Sequence, residues 1–177
     1  MSLKHAILVL LETEPSSGYD LMRHFKQNLG YFWNAKHQQI YQQLKTLNEE
    51  GLITCTIESQ VSKPDKKVYA ITPNGEAELT SWISSEVKPN KINDALLVKL
   101  YGGHLASKPN LLEELDRHIT FHTTTLEKLI QIEKTYLNFP PIKQSKYLLP
   151  YLTLRRGIIG ENAWLSWAKE AKSAIKK

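Results

Sequence analysis

The sequence predicts a mainly α-helical protein with one small β-hairpin. Apolar residues recur every three or four positions over most of the 177-residue chain, and glycine and proline divide these runs into helix-sized segments. Strict alternation of apolar and polar residues appears only after Gly51. The predicted order is therefore three helices, two strands and a fourth helix, followed by helices throughout the second half.

The first two helices have clear boundaries. The first covers about residues 3–11 and is mostly apolar, which predicts burial among neighbouring elements. Ser17 with Asp20 three positions later resembles a capping box that starts the second helix, and Gly30 stops it.

The third helix is predicted from about Ala35 to Glu50 and ends at Gly51. Its apolar residues lie three and four positions apart, so one face is expected to be buried: Ile40, Leu44 and Leu47.

After the third helix, Ile53, Cys55 and Ile57 alternate with polar residues, which indicates a half-buried strand. A polar loop from Ser59 to Lys66 leads to a second β-prone run at 67–71, and together they make a hairpin.

The fourth helix starts at Thr72 and Pro73, since proline in the first helical position sacrifices no hydrogen bond. Its apolar side is expected to consist of Leu79, Trp82 and Ile83.

A break in the apolar periodicity predicts two domains, at residues 1–87 and 94–177, joined by a linker at 88–93. The second domain is expected to contain helices at about 94–101, 109–137 and 147–176.

The two long helices of this domain predict a homodimer. In the first of them, eight positions from 112 to 136 keep the three-four spacing of a coiled-coil seam. The last helix is apolar over more than one stripe, and a single partner helix cannot cover both. The expected dimerisation residues are Leu112, Leu115, Ile119, His122, Leu126, Leu129, Tyr136, Ile159, Trp164 and Trp167.

Composition excludes several classes of protein. A chain with 41% hydrophobic and 23% charged residues is an ordinary globular protein and too short for a large multidomain enzyme. No apolar run approaches the roughly 20 residues that cross a bilayer, and no secretory cleavage pattern follows the apolar start. The only cysteine, Cys55, excludes an internal disulfide and a cysteine-based zinc cage. We expect a cytoplasmic protein without a membrane partner.

The net charge of +5 is distributed unevenly. Residues 1–89 contain 9 Lys and Arg against 10 Asp and Glu, whereas residues 90–177 contain 14 against 8. The N-terminal half is thus slightly acidic, yet residues 21–48 include four Lys or Arg, two His and no carboxylate. This window predicts a local basic face.

Three helices and a hairpin in this order are typical of a winged helix-turn-helix, whose third helix enters the DNA major groove while the hairpin loop reaches the backbone. Glutamine forms paired hydrogen bonds with adenine, and lysine contacts guanine or phosphate. The expected contacts to double-stranded DNA are Lys36, His37, Gln38, Gln39, Tyr41, Gln42 and Lys45 from the helix, and Lys63, Lys66 and Lys67 from the loop.

Several short motifs and single residues follow one another in a specific order across the first half of the chain: Gly18-Tyr19-Asp20-Leu21, Gly30-Tyr31-Phe32-Trp33, Gln39-Ile40-Tyr41, Leu44, Leu47, Glu50-Gly51-Leu52-Ile53, Lys67-Val68-Tyr69, Thr72, Gly75 and Trp82. In these residues the sequence resembles the PadR family of bacterial transcriptional regulators. The second half, with Leu96-Leu97 and Lys99-Leu100-Tyr101-Gly102, is similar to the dimerisation domain of the virulence-activator-like branch.

This resemblance implies a homodimeric regulator that binds a pseudo-palindromic operator and has no enzymatic activity. Two positions depart from the common family pattern. Gln42 stands where many members have proline. Lys66 stands where many have arginine, so a contact from this position to phosphate is expected to use the single charge of an ammonium group and not a bidentate guanidinium.

Two other functions would use parts of the same sequence. A winged-helix protein adaptor that binds no DNA would share the fold, and the carboxylate-free window argues against it. A metal site at Glu114, His118 and His122 would use their i, i+4, i+8 spacing, but no further ligand or HExxH pattern accompanies them. We expect no metal and no cofactor.

The sequence identifies neither a small-molecule effector nor the direction of regulation. A cavity between the halves, lined by Trp, Tyr and His, would suit a small aromatic ligand, and the same rings equally suit a dimer core.

Overall fold

In the computed structural model, which describes residues 3–59, 65–89 and 93–177, the chain divides into two compact units, Met1–Asn90 and Lys91–Lys177. The division falls within the segment 88–93 that we expected to be a linker. In the described residues, no helix is long and apolar enough to span a membrane.

In the described residues of the N-terminal unit there are four helices and three strands. They are α1 (Leu3–Thr13), β1 (Ser16–Ser17), α2 (Gly18–Asn28), α3 (His37–Glu49), β2 (Ile53–Glu58), β3 (Lys66–Ile71) and α4 (Pro73–Ile83). All four helices and both strands of the hairpin correspond to predicted elements, with boundaries that differ by one or two residues.

The hairpin belongs to a three-stranded antiparallel sheet of order β1-β3-β2, and β1 was missed in the sequence. Ser16 pairs with Tyr69 and Ser17 with Val68, while Glu58 pairs with Lys66 at the far end of the hairpin. Two serines between helices carry no alternation of apolar residues. Their extended conformation is stabilised by hydrogen bonds to β3, which only the folded chain brings close.

The core of this unit forms where α1, α2 and α3 meet the sheet. Its buried side chains include the predicted face of α3 and the apolar residues of α1 and α2: Ile7, Leu8, Leu11, Leu21, Phe25, Ile40, Leu44, Leu47, Ile53, Tyr69 and Leu79. Burial of these side chains holds α3 in place, because isolated helices of this length are marginal in water.

Two residues predicted to be apolar contacts lie outside this core. Ile57 is 65% exposed because β2 extends past the helices into the wing, and Ile83 is 64% exposed because α4 ends there. Trp82, in contrast, stacks on the ring of His5 with 4.4 Å between ring centroids.

The C-terminal unit is helical. It contains α5 (Ala95–Tyr101), a single 3₁₀ turn (Gly103–Leu105), α6 (Lys108–Leu137), α7 (Pro141–Lys146) and α8 (Leu148–Lys176). The 3₁₀ turn and α7 were not predicted, because both are short and lie in segments rich in glycine or proline. Helices α6 and α8 pack along each other as an antiparallel pair, with Asp116 near Lys172 and Tyr136 on Tyr151.

Candidate nucleic-acid interface

The two faces of α3 differ as the sequence predicts. Ile40, Leu44 and Leu47 are buried, whereas Gln38, Gln42 and Lys45 are exposed. Lys45 forms one long ion pair with Glu49, 3.8 Å away and itself exposed. This face of α3 is therefore accessible to a partner.

The start of α3 differs from the prediction in one respect. The helix begins at His37, and Lys36 is the N-cap residue before it. The backbone N–H of Lys36 donates a hydrogen bond of 2.8 Å to Oε1 of Gln39. The oxygen of Gln39 thus takes part in the start of the helix and keeps one further lone pair, and its amide NH₂ group can donate to another partner. The first turn has no acidic residue, so its backbone dipole presents positive charge to solvent.

Tyr41 connects α3 with the start of α2. Its ring lies against Gly18, where an added Cβ would approach Tyr41 Cε1 to 2.8 Å, and it is tilted against the ring of His37 at 4.6 Å. Tyr41 remains partly exposed, and the neighbouring Tyr19 is largely exposed. Glycine at position 18 lets the tyrosine ring close the gap between the two helices.

The wing residues lie in three different situations. Lys63 falls outside the described residues. Lys67 is exposed and pairs across the hairpin with Ile57. Lys66 forms an ion pair with Asp20 of α2, with 3.1 Å between Nζ and Oδ2, so its charge is partly neutralised within the protein.

Asp20 was predicted from the sequence as part of a capping box and of the Gly18-Tyr19-Asp20-Leu21 motif, and not as a partner of the wing. Ser17 Oγ accepts a hydrogen bond from the Asp20 backbone N–H and donates one to Oδ2. Arg23 Nη2 lies 3.3 Å from Oδ1. The hydrogen bond from Ser17 lowers the pKa of Asp20, and Lys66 lowers it further. The pairing with Lys66 has no signal in the sequence, because 46 positions separate the two residues.

In the C-terminal unit, the predicted seam of α6 is covered by α8 of the same chain. Leu115 and Leu129 are buried in this pair, which places them in the core of the unit rather than on a surface open to a second subunit. His122 Nδ1 lies 2.6 Å from Glu161 Oε2, and its ring stacks on Trp164 at 3.6 Å. The remaining seam and aromatic residues are partly buried: Leu112, Ile119, Leu126, Tyr136 and Trp167.

The second apolar stripe of α8 is partly exposed in the described residues. Leu148, Leu152 and Ile159 are each about half exposed, and Leu149 is 73% exposed. An apolar surface of this kind is typical of a protein interface.

The residues considered for a metal have other partners. Glu114 accepts a hydrogen bond of 2.7 Å from Lys99 and another from Arg117, and these contacts lower its pKa to about 2. His118 lies 3.9 Å from Glu114, while His122 is engaged with Glu161. Across the described ranges, no group of three or more His, Cys, Asp or Glu side chains is arranged to hold a metal ion.

Comparison with known proteins gives consistent matches over both units. The PadR-like family of transcriptional regulators matches residues 7–81, and the C-terminal region of the virulence activator alpha family matches residues 92–176. A Mycobacterium tuberculosis protein named as a probable transcriptional regulator is 35% identical over 100% of this chain and 99% of its own length.

Solved structures of full-length relatives are also similar. Bacillus subtilis PadR in complex with operator DNA has a TM-score of 0.83 and 32% identity, covering 98% of both chains. The Vibrio cholerae virulence activator AphA has a TM-score of 0.81 and 30% identity, covering 99% of this chain and 98% of its own. The Bacillus subtilis protein has also been solved with p-coumaric acid, at 32% identity and a TM-score of 0.77, covering 99% of both chains.

Identity at this level over essentially the whole chain, together with a winged N-terminal unit and a helical C-terminal unit, establishes the family. The chain belongs to the PadR-like family, whose members are transcriptional regulators and not enzymes, and its C-terminal unit is of the virulence-activator type.

Proposed function

We propose that this protein is a homodimeric, sequence-specific DNA-binding regulator of transcription that recognises a pseudo-palindromic operator. In this proposal α3 enters the major groove, and the wing between β2 and β3 contacts the adjacent backbone. The observation that carries it is the exposed face of α3: Gln38, Gln42 and Lys45 are exposed, and the first turn of the helix contains no acidic residue.

The chemistry of this face suits base recognition. Gln38 and Gln42 are one helical turn apart, so their amides are spaced to reach neighbouring base pairs, and each amide can form two hydrogen bonds with adenine. Lys45 is one turn further along and suits a guanine edge or a phosphate. The uncompensated dipole at the start of α3 and the exposed Lys67 suit phosphate contacts. The operator complex of the Bacillus subtilis relative supports this assignment.

A second copy of the chain is the proposed occupant of the exposed stripe on α8. A two-fold dimer presents two α3 helices, and these read half-sites about one helical turn or a small multiple of it apart. Because the target is chromosomal DNA, we place this activity in the cytoplasm.

We also propose a small-molecule effector of the aromatic acid class. The support is the complex of the Bacillus subtilis relative with p-coumaric acid. Titration of the protein–operator complex with a panel of aromatic acids is expected to reveal one that releases the DNA, and a panel without effect contradicts this part of the proposal.

The experiment that tests the proposal is selection of bound sequences from a random pool of duplex DNA, followed by binding assays with two variants. Gln42→Ala is expected to relax discrimination at one position of the selected site by about 1 to 3 kcal/mol. Lys45→Ala is expected to weaken binding to all duplexes and to reduce the salt dependence by about one unit.

Gln131→Ala and Lys128→Ala are matched controls, since both side chains are exposed on α6. They are expected to bind as the wild type does. Failure of the wild type to bind duplex DNA in a salt-dependent manner contradicts the proposal and favours an adaptor that binds protein.

A further inference from the structure

The side chain of Asp20 forms ion pairs with two basic residues of the N-terminal unit. Its Oδ2 lies 3.1 Å from Lys66 Nζ, and its Oδ1 lies 3.3 Å from Arg23 Nη2. Ser17 Oγ donates a hydrogen bond of 2.7 Å to Oδ2, which orients the carboxylate. Both carboxylate oxygens are therefore engaged with basic or hydrogen-bonding groups.

This cluster adjoins the proposed DNA-binding surface on two sides. Two residues before Asp20, Gly18 lies against Tyr41 of α3. Lys66 is the first residue of β3, directly after the wing loop. Asp20 therefore lies near both elements that the proposed function places on DNA. Gly18, two residues before it, contacts α3, and its ion-pair partner Lys66 borders the wing.

The carboxylate of Asp20, like a DNA phosphate, is an anion that pairs with basic side chains. A basic side chain adds to DNA affinity when it neutralises a phosphate and releases counterions. Lys66 and Arg23 already share an anion inside the protein, so their contribution to backbone binding is reduced. All three side chains are partly exposed, and ion pairs of this kind are weak enough to exchange with a competing anion.

We propose that Asp20 competes with DNA phosphates for Lys66 and Arg23. By forming ion pairs with these two residues, Asp20 lowers the affinity of the N-terminal unit for the backbone of every duplex. This inference rests on the proposed function. Because phosphate contacts carry no base information, Asp20 sets the strength of binding and its salt range, while α3 sets the preferred sequence. The hydrogen bond from Ser17 and the charge of Lys66 lower the pKa of Asp20, so the competitor stays ionised at neutral pH.

The test is the isosteric variant Asp20→Asn in the full-length protein. With two cations released, affinity for both the selected site and an unrelated duplex is expected to rise by about fivefold at low salt, which corresponds to about 1 kcal/mol in total, or about half of that for each weak exposed pair. The salt dependence of binding is expected to steepen by about one to two units. The preferred sequence is expected to stay the same.

Glu14→Gln is the matched charge control. Glu14 lines the same surface depression as Asp20 and pairs with His24 at 3.7 Å, not with Lys66 or Arg23. Glu14→Gln removes one negative charge, as Asp20→Asn does. If both variants raise the affinity for DNA equally, the change in net charge alone is responsible, and the inference is overturned.

A double-mutant cycle with Lys66→Gln separates release of a cation from loss of structure. Lys66→Gln is expected to lower affinity more in the Asp20→Asn background than in the wild type, because Lys66 is released from its ion pair only in that background. Unchanged or weaker DNA binding by Asp20→Asn, at an unchanged melting temperature, overturns the inference. A lowered melting temperature with weaker binding does so too, because it makes Asp20 a purely structural residue.

Failure of this inference is distinguishable from failure of the proposed function. If the wild type binds operator and Gln42→Ala relaxes its specificity, the function holds whatever Asp20→Asn does. If no variant binds duplex DNA, the function and the inference both fail.

Discussion

The side chains of α3 divide into a buried set that holds the helix and an exposed set that is free to act. Leu44 has no exposed surface, while Gln38, less than two turns away, is exposed. Because the core formed by α1, α2 and the sheet packs against the buried set, substitutions of Leu44 and of Gln38 are expected to have separable effects on stability and on DNA binding.

Leu44→Ala is expected to lower the free energy of unfolding by about 2 to 5 kcal/mol, because it leaves a cavity among close-packed apolar side chains. Chemical denaturation followed by circular dichroism measures this change. Gln38→Ala is the control and is expected to alter stability by less than about 0.5 kcal/mol. A loss of similar size for both variants contradicts the assignment of the two faces.

At the scale of elements, the carboxylate of Glu114 links α5 to α6. Glu114 of α6 accepts hydrogen bonds from Lys99 of α5 and from Arg117 of its own helix. These contacts lower the pKa of Glu114 from 4.5 to about 2 in the folded protein. A lowered folded-state pKa stabilises the folded state above the unfolded value, and the stabilisation is lost as the pH falls toward the folded value.

Glu114→Gln is therefore expected to weaken the attachment of α5 at neutral pH and to differ less from the wild type as the pH falls from about 4.5 to about 2. Hydrogen exchange of the α5 backbone amides, compared between variants at each pH, measures this attachment. Glu113→Gln is the control, since Glu113 is more exposed and lies 3.8 Å from Arg117. Equal exchange in Glu114→Gln and the wild type at neutral pH contradicts the prediction.

At the scale of the whole molecule, the exposed stripe on α8 is the surface from which we predict dimerisation. The full-length protein is expected to have the mass of a dimer by light scattering. Replacing Leu152 and Ile159 together with Asp is expected to give a folded monomer, because two buried charges without partners oppose association. Operator affinity is then expected to fall by roughly 10² to 10⁴, since the two winged units lose their linkage.

Thr123→Asp with Gln131→Asp is the control, because it adds the same charge at two exposed polar positions of α6. It is expected to remain a dimer. A monomeric wild type, or tight binding of the monomeric variant to a single asymmetric half-site, contradicts the link between dimerisation and DNA recognition.

Local signals in the sequence were enough to predict the long helices, the hairpin and the exposed face of α3. Local signals carried these predictions: Ser17 and Thr72 cap helices as expected, and the three-four spacing of Ile40, Leu44 and Leu47 predicted which side of α3 is buried. Such signals act within one or two helical turns, so one sequence suffices to find them.

Only the tertiary structure decided which side chains meet across the chain. The pairing of β1 with β3, the capture of Lys66 by Asp20 and the covering of the α6 seam by α8 all join residues far apart in sequence. The charge or apolarity of a side chain predicts what kind of contact it makes. Which residue provides that contact depends on the path of the backbone, which brings distant segments within a few ångströms of each other. The sequence therefore predicted that Lys66 would contact DNA and that Leu115 would contact a second subunit. In the folded chain, Lys66 pairs with Asp20, and Leu115 is buried between α6 and α8.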